Sequence, residues 1–130
     1  DLFSVSDNNQ NLFRWNTISG TVSLTINLGS TGFCIKLLDN NKIGVALSDH
    51  SIKIYDLTTS NLLKTLIGHT AKINELEFIS LTSNLISISN DVTIKLWSLS
   101  DMSTTVLSSL NLGKTPVSIE FLFHPCNIFL

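Results

Sequence analysis

The stretch GHTAKINELEFISLTSNLISISNDVTIKLW, residues 68–97, decides the fold of this chain. Four of its side chains follow one another at intervals of 18, 4 and 6 positions: His69, Ser87, Asp91 and Trp97. Residues 84–89 and 93–99 alternate apolar and polar side chains, and a short polar segment that contains Asp91 lies between them. Two alternating runs joined by a polar turn predict a β-hairpin with Asp91 at its tip.

The four side chains have complementary hydrogen-bonding groups. An indole N–H donates, a hydroxyl and an imidazole both donate and accept, and a carboxylate accepts. One continuous chain of hydrogen bonds can therefore satisfy all of them. Because a buried polar network destabilises the core unless every member is paired, the pattern indicates a structural role rather than a catalytic one.

This stretch closely resembles a WD40 repeat, which opens on glycine-histidine and closes on tryptophan-aspartate about 40 residues later. The closing pair here is Trp97-Ser98, so the final aspartate of that signature is replaced. In WD40 proteins, hydrogen bonds from tryptophan through serine or threonine and histidine to aspartate fasten the preceding loop onto the hairpin. The resemblance implies that this structural tetrad is formed by Trp97, Ser87, His69 and Asp91.

Further copies of the repeat show an aromatic residue in a similar context, at intervals of 40 and 42 residues: Trp15, Tyr55 and Trp97. Another copy begins at residues 116–125, so the units span about residues 1–17, 18–57, 58–99 and 100–130. The resemblance predicts an all-β fold, a partial β-propeller of the WD40 type with about three four-stranded antiparallel blades of a larger ring. The expected strands of the third blade are Lys72–Ile79, Asn84–Ser89, Thr93–Leu99 and Thr104–Asn111. The apolar contacts are expected from Ile73, Leu76, Phe78, Ile86, Ile88, Ile94 and Leu96.

Only the third unit carries a full tetrad. In the second unit Asp49 holds the turn position, six residues before Tyr55. Val45 stands at its serine position, however, and its histidine position falls at about Gly29, so the network cannot form there. The first unit has Ser4, Ser6 and Asp7 before Trp15, without an opening loop.

The length of the chain sets a further expectation. At about 40 residues a blade, 130 residues supply roughly three blades, whereas propellers close with about four to eight. An unclosed set leaves two blade faces bare. We therefore expect a piece of a longer protein, and regard a ring closed by identical copies, a homo-oligomer, as the less favoured arrangement.

Composition excludes several classes of protein. Apolar residues make up 43% and the net charge is −2, with a single arginine, which argues against nucleic acid as a partner. No apolar run is long enough to span a membrane. The two cysteines, Cys34 and Cys126, lie far apart in a chain without glycosylation sequons, which indicates an intracellular protein, cytoplasmic or nuclear.

No motif in the chain predicts a catalytic, cofactor or metal site. Residues 113–115 end like a phosphate-binding loop but lack its first glycine. The three triad residue types at positions 49–51 are neighbours on a turn and cannot converge. His69, His124 and Cys126 lack the paired spacing of zinc ligands.

The resemblance implies a non-catalytic scaffold that holds other proteins or peptides within a multiprotein complex. The alternative is a propeller appendage that recruits substrates for a catalytic domain outside this segment. In the family, ligands commonly dock beside the blade-opening loops and the tetrad turns, which here correspond to Asn74, Asn90, Cys34 and Ser48. An open β-sandwich or solenoid is the competing fold, although neither requires a period of about 40 residues.

Overall fold

The structure is a computed structural model that describes residues 1–6, 8–39, 41–100 and 106–114. The described residues form eleven strands and no helix: β1 (Leu2–Val5), β2 (Asn11–Asn16), β3 (Thr21–Asn27), β4 (Gly32–Leu38), β5 (Lys42–Leu47), β6 (Ile52–Asp56), β7 (Leu62–Leu66), β8 (Ile73–Ile79), β9 (Asn84–Ser89), β10 (Thr93–Ser98) and β11 (Val106–Asn111). The all-β prediction is confirmed.

The strands form three antiparallel sheets, each a simple meander in chain order. The first contains β1–β2–β3, the second β4–β5–β6–β7 and the third β8–β9–β10–β11. The expected strands of the third blade agree with β8 to β11 within two residues at each end, and residues 104 and 105 lie outside the described part of the chain. The second and third sheets are thus the four-stranded blades that the repeat predicts.

The sheets are offset by one strand from the units read in the sequence. The boundary 17/18 follows β2, and the boundaries 57/58 and 99/100 follow β6 and β10, the third strands of their sheets. The last strands of the first and second sheets, β3 and β7, therefore lie in the next unit. The last unit, residues 100–130, is described only for residues 100 and 106–114, and the strand expected at 116–125 lies outside the described residues.

A β-bulge marks the same place in all three sheets. The strand register shifts between Arg14 and Trp15, between Ile54 and Tyr55, and between Leu96 and Trp97. A bulge bends the strand and increases its twist. Its recurrence just before each aromatic residue shows that the sequence repeat is also a structural repeat.

The residue that follows each aromatic residue, where the WD40 signature has aspartate, forms side-chain hydrogen bonds in the next turn. Asn16 Oδ1 accepts hydrogen bonds from the N–H groups of Ile18 and Ser19, and Asp56 Oδ1 does the same for Thr58 and Thr59. Both are side-chain turns of the kind that Asn and Asp form readily. At the equivalent position Ser98 instead shares a hydrogen bond of 3.0 Å with the Ser100 hydroxyl.

Two apolar clusters hold the sheets face to face. The first lies between the first and second sheets and contains Leu12, Ile26, Leu28, Ile43, Val45, Leu47, Tyr55 and Leu57. The second lies between the second and third sheets and contains Ala46, Ile52, Ile54, Leu66, Ile73, Leu76, Leu85 and Trp97. Each fully buried large apolar side chain stabilises the fold by about 1.5–3 kcal/mol.

The predicted apolar contacts of the third blade are met unevenly. Ile73, Leu76 and Ile88 are buried, and Phe78 packs against the second cluster. The remaining three are only half-buried: Ile86, Ile94 and Leu96. They alternate with cluster residues along β9 and β10, which places them on the face of the third sheet that points away from the second.

Candidate functional site

The structure brings the four predicted tetrad side chains together. His69 comes from the loop before β8, Ser87 from β9, Asp91 from the β9–β10 turn and Trp97 from β10. The Trp97 indole N–H donates to Ser87 Oγ at 2.8 Å. Ser87 Oγ lies 2.7 Å from His69 Nε2, and His69 Nδ1 lies 2.6 Å from Asp91 Oδ2. These are the four side chains that the resemblance to a WD40 repeat implied.

The direction of the chain follows from its two ends. Because the carboxylate can only accept, His69 donates from Nδ1 to Asp91, and Ser87 Oγ accepts from Trp97, which can only donate. The lowered pKa of His69 favours the neutral imidazole, in which Nε2 accepts the Ser87 hydroxyl proton. Burial lowers the pKa of His69, and the neighbouring Asp91 offsets that shift only in part. Burial would also raise the pKa of the Asp91 carboxyl, but hydrogen bonds from Thr93, His69 and Thr70 hold it well below its ordinary value.

Groups that the spacing did not single out complete the network. Asp91 Oδ1 accepts from the Thr93 N–H at 3.0 Å and from its hydroxyl at 2.6 Å. Asp91 Oδ2 also accepts from the Thr70 N–H at 3.0 Å. The Ser89 hydroxyl donates to the Ala71 carbonyl at 3.0 Å. Together these bonds fasten residues 69–72 onto the β9–β10 hairpin. A hydroxyl residue two positions after the turn aspartate was the available signal for Thr93.

The second sheet fastens the corresponding loop by other means. Val45 is fully buried at the serine position, and Asp49 retains only its local turn, accepting from the Ser51 N–H and hydroxyl at 3.0 and 2.6 Å. Lys53 Nζ donates instead to the Leu28 carbonyl at 2.8 Å. A lysine on the hairpin thus reaches the loop backbone where the histidine chain is absent. Nothing in the spacing predicted this contact.

The first sheet keeps one bond of the tetrad. The Trp15 indole N–H donates to Ser4 Oγ at 2.9 Å. Ser4 pairs with Phe13, two residues before Trp15, just as Ser87 pairs with Lys95, two residues before Trp97. Ser4 and its partner Phe13 are nine residues apart, whereas Ser87 and Lys95 are eight apart, so the interval from serine to tryptophan is 11 rather than 10.

The expected partner-binding residues lie near the edge where β4 and β8 begin and β5 and β9 end, which we call the tetrad end. The Asn74 amide donates to Asn90 Oδ1 at 2.7 Å, and the hydroxyls of Ser30 and Ser48 lie 2.7 Å apart. Ser48 and Asn90 are exposed. Each pair therefore links a residue of a blade-opening segment to one beside a tetrad-type turn.

Cys34 occupies a different environment from the other three. Its side chain is half-buried against the second apolar cluster, and burial raises the pKa of its thiol. The residue equivalent to Asn74 is Phe33, because each occupies a bulge near the start of the first strand of its sheet. Phe33 lies in the bulge between Gly32 and Cys34 of β4, and Asn74 in the bulge between Ile73 and Glu75 of β8. Phe33 follows Ile26 by seven residues, whereas Asn74 follows the equivalent Leu66 by eight, so counting from the histidine position overshoots by one.

Phe33 adds an aromatic surface to the tetrad end. Its side chain is 41% exposed, and Lys72 Nζ lies 4.6 Å from the centre of its ring. A lysine ammonium in this position is attracted by the negative face of the ring. The contact joins the opening segments of two neighbouring sheets, since Phe33 is in β4 and Lys72 directly precedes β8.

The described residues contain no group of three or more His, Cys, Asp or Glu side chains placed to hold a metal ion. His124 and Cys126 lie outside them. At the turn of residues 49–51, the Ser51 hydroxyl donates to the Asp49 carboxylate, which is not the arrangement of a nucleophile and its base. In this same part of the chain, no helix has the length and apolarity needed to cross a bilayer.

Known proteins share this arrangement. WD repeat-containing protein 89 homolog of Dictyostelium discoideum is 44% identical over 57 residues, covering 44% of this chain and 16% of that protein. Autophagy-related protein 16 of Arabidopsis thaliana is 31% identical over 112 residues, covering 82% of this chain and 22% of that protein. The crystal structure of RRP9 WD40 repeats matches with a TM-score of 0.75 at 22% identity, over 84% of this chain and 34% of that one. No protein-family model matches the sequence.

Repeated antiparallel sheets packed face to face define a segment of a β-propeller. With these relatives and this structural match, the chain belongs to the WD40-repeat family. It spans less than a quarter of the length of either relative. WD40 proteins are generally scaffolds for protein interactions and are generally not catalytic.

The tetrad should behave as one energetic unit. We expect His69→Ala and Asp91→Ala each to lower the free energy of unfolding of the whole protein by about 1–3 kcal/mol, because each leaves buried partners unpaired. The double variant should lose clearly less than the sum of the two single losses. Denaturant unfolding of all four proteins measures this difference. Asp56→Ala combined with His69→Ala is the control and should be additive; additivity in the tetrad pair would contradict the network.

The stability that His69 contributes should decrease as the pH falls below neutral. In the folded protein the pKa of His69 lies below its ordinary value of 6.5. As the pH falls, the imidazole of the unfolded chain therefore takes up a proton before that of the folded protein. The difference in unfolding free energy between the unaltered protein and His69→Gln should be constant above about pH 7 and shrink below about pH 6.5. Unfolding at several pH values measures it. A difference that grows in acid would mean a charged imidazole paired with Asp91, contrary to the assigned direction.

A hydroxyl at the serine position of the second sheet should be harmful. Val45→Thr keeps the shape of the fully buried side chain but introduces a polar group without the histidine and tryptophan that satisfy Ser87. We expect a loss of about 1–3 kcal/mol in unfolding free energy. Val45→Ala, measured in parallel, gives the cost of lost packing alone. A neutral Val45→Thr variant would show that the second sheet can satisfy this hydroxyl.

Proposed function

We propose that this chain is part of a non-catalytic scaffold within a multiprotein complex, and that its tetrad end binds a partner protein or peptide. The observation that carries the proposal is the pairing of exposed side chains at this end. Asn74 and Asn90 are joined at 2.7 Å, as are Ser30 and Ser48. Exposed amides and hydroxyls that already hold one another in place are suited to recognise the backbone and polar side chains of a partner.

Rigidity makes this end a favourable contact surface. Association costs free energy for every side chain and loop that it immobilises, and a surface that is already ordered avoids that cost. The Asn90 N–H donates to the Lys72 carbonyl at 2.9 Å, and the Ser48 N–H donates to the Thr31 carbonyl at 2.8 Å. The β5–β6 and β9–β10 turns are therefore tied to the residues directly before β4 and β8 by backbone bonds as well as by side chains.

Phe33 supplies the apolar part of the surface. Aromatic residues in protein interfaces contribute large contact areas for few rotatable bonds. Lys72 beside the ring gives this part of the tetrad end a positive charge, whereas the paired amides and hydroxyls are neutral. The partner that this composition favours presents backbone amides and polar side chains to the paired residues and an apolar or weakly acidic group to Phe33.

The remaining expectations about partners and location belong to the same proposal. A net charge of −2 with one arginine favours a protein rather than a nucleic acid as partner. The unpaired Cys34 suits a reducing environment, so the proposed location is intracellular, in the cytoplasm or nucleus. Homo-oligomerisation is not part of the proposed role.

Binding at the tetrad end is tested in the complete protein. A tagged form is captured from its own cells, the stoichiometric partner is identified by mass spectrometry, and its affinity is then measured with purified components. We expect Asn74→Ala with Asn90→Ala, and separately Phe33→Ala, to weaken binding about tenfold, corresponding to about 1.4 kcal/mol. The control is Leu81→Ala, in the β8–β9 turn at the other end of the strands, where the side chain is 97% exposed.

The outcomes separate two parts of the proposal. A partner whose affinity is unchanged by both sets of variants would remove the tetrad end as its binding surface. The absence of any stoichiometric partner would contradict the scaffold role itself. Unchanged melting temperatures of the variants show that a loss of binding comes from the surface and not from unfolding.

A further inference from the structure

A second site lies between the first and second sheets, along their last strands. A pocket with a cavity volume of about 520 Å³ opens there. Residues 25–29, at the end of β3 and just after it, form one wall, and residues 53, 55 and 60–62, from β6 to the start of β7, form the other. Cavities of about 300–1,000 Å³ are typical of ligand-binding sites. Of the described residues that line this pocket, none belongs to the tetrad end.

The Tyr55 hydroxyl is an unused hydrogen-bonding group in this pocket. Tyr55 occupies the position of Trp97, whose indole N–H donates to Ser87, but the second sheet has Val45 at the serine position. Only 4% of Tyr55 is exposed, and its hydroxyl makes no hydrogen bond with another described residue. Among those residues, the one side-chain N or O atom that is fully buried without a partner is His50 Nδ1. The Tyr55 hydroxyl therefore retains contact with solvent, which it makes in the pocket that the residue lines.

Lys53 places a second donor beside the Tyr55 hydroxyl. The two residues are two positions apart in β6, so their side chains lie on the same face of the second sheet, the face that packs on the first. An ammonium has three N–H groups, and Lys53 uses one of them to bond the Leu28 carbonyl at 2.8 Å. The ammonium therefore keeps hydrogen-bonding capacity for a ligand.

Asp49 acts on this ammonium from outside the pocket. Burial would raise the pKa of the Asp49 carboxyl, but hydrogen bonds from Ser51 and the positive charge of Lys53 lower it. Asp49 does not line the pocket, and it forms no ion pair with Lys53. Its carboxylate accepts instead from the Ser51 N–H and hydroxyl. The selectivity of the pocket therefore comes from its two adjacent donors rather than from net charge.

Two adjacent donors favour a carboxylate over a neutral group. A carboxylate presents two acceptor oxygens, one for each donor, and hydrogen bonds to an ionised acceptor are stronger than those to a neutral one. An amide of the same shape has one oxygen and would turn an NH₂ group towards the second donor. The described residues that line the pocket include no acidic side chain that would repel a carboxylate. Leu62, which is 49% exposed, offers apolar surface to the rest of the ligand.

We propose that this pocket binds an aliphatic carboxylate, either a short branched acid or the carboxyl terminus of a chain that ends in leucine. One oxygen accepts from the Tyr55 hydroxyl and the other from the Lys53 ammonium, while the aliphatic part packs on Leu62. The site is additional to the tetrad end and does not depend on the partner proposed there.

The probe is isocaproate, compared with its neutral counterpart isocaproamide by calorimetric titration of the complete protein. We expect the acid to bind at least about tenfold more tightly than the amide. Tyr55→Phe should weaken binding of the acid about tenfold, because it removes one of the two donors and keeps the ring. Since the hydroxyl has no partner in the protein, this variant should melt like the unaltered protein. Leu62→Ser should weaken the acid about threefold, through lost apolar contact.

Further arms identify the source of the carboxylate and the outcomes that contradict the site. A pentapeptide that ends in leucine is tested with a free carboxyl terminus and with an amidated one. Tighter binding of the free peptide than of isocaproate supports a chain terminus, and the reverse order supports a small acid. The exposed turn variant Leu81→Ala is the control and should bind isocaproate unchanged. Absence of saturable binding, equal binding of acid and amide, insensitivity to both Tyr55→Phe and Leu62→Ser, or tighter binding of inorganic phosphate would each overturn the proposal.

Discussion

The fastening of a loop onto its hairpin is the constraint on which the rest of this structure depends. In the third sheet it runs from the Trp97 indole through Ser87 and His69 to Asp91, with heavy-atom distances of 2.6 to 2.8 Å. The buried hydroxyl and imidazole each have a hydrogen-bond partner on both sides. These bonds compensate for the cost of removing the two groups from water. The same bonds set the position at which β8 enters the sheet. Two residues of β8, Ile73 and Leu76, belong to the second apolar cluster.

The second and third sheets meet this constraint in different ways. The third uses the full chain, and the second replaces it with a bond from Lys53 to the Leu28 carbonyl. The first sheet keeps the bond from Trp15 to Ser4, which lies within its hairpin. The substitution in the second sheet is chemically consistent: an apolar valine at position 45 needs no partner, so the loss of the histidine leaves no hydroxyl buried and unpaired at this position. What the repeat requires is a satisfied connection between loop and hairpin, and the residue types can change together.

The connection between loop and hairpin is required, but the residues that make it can change. This determines which contacts could be predicted from the sequence. The tetrad, the strands of the third blade and the three aromatic repeats follow from spacing, because antiparallel meanders convert fixed intervals into fixed contacts. The contact from Lys53 to Leu28 spans 25 residues and has no motif, so it is visible only in three dimensions. Cys34 was expected on the partner-binding face because the count from the histidine position crosses a segment that is one residue shorter in the second repeat. The register shift in β4 instead puts Phe33 at the position equivalent to Asn74.

Loops that are fastened from beneath can vary at their exposed positions. Phe33 and Asn74 occupy equivalent bulges, yet one is an aromatic ring beside a lysine and the other an amide paired with Asn90. Neither side chain belongs to the apolar clusters, so the exchange costs the fold little. A bulge residue also has no pairing partner on the neighbouring strand. Each blade can therefore present a different chemical group at the same place on a common frame. Under the proposed function, the specificity of the tetrad end comes from which groups successive blades present together.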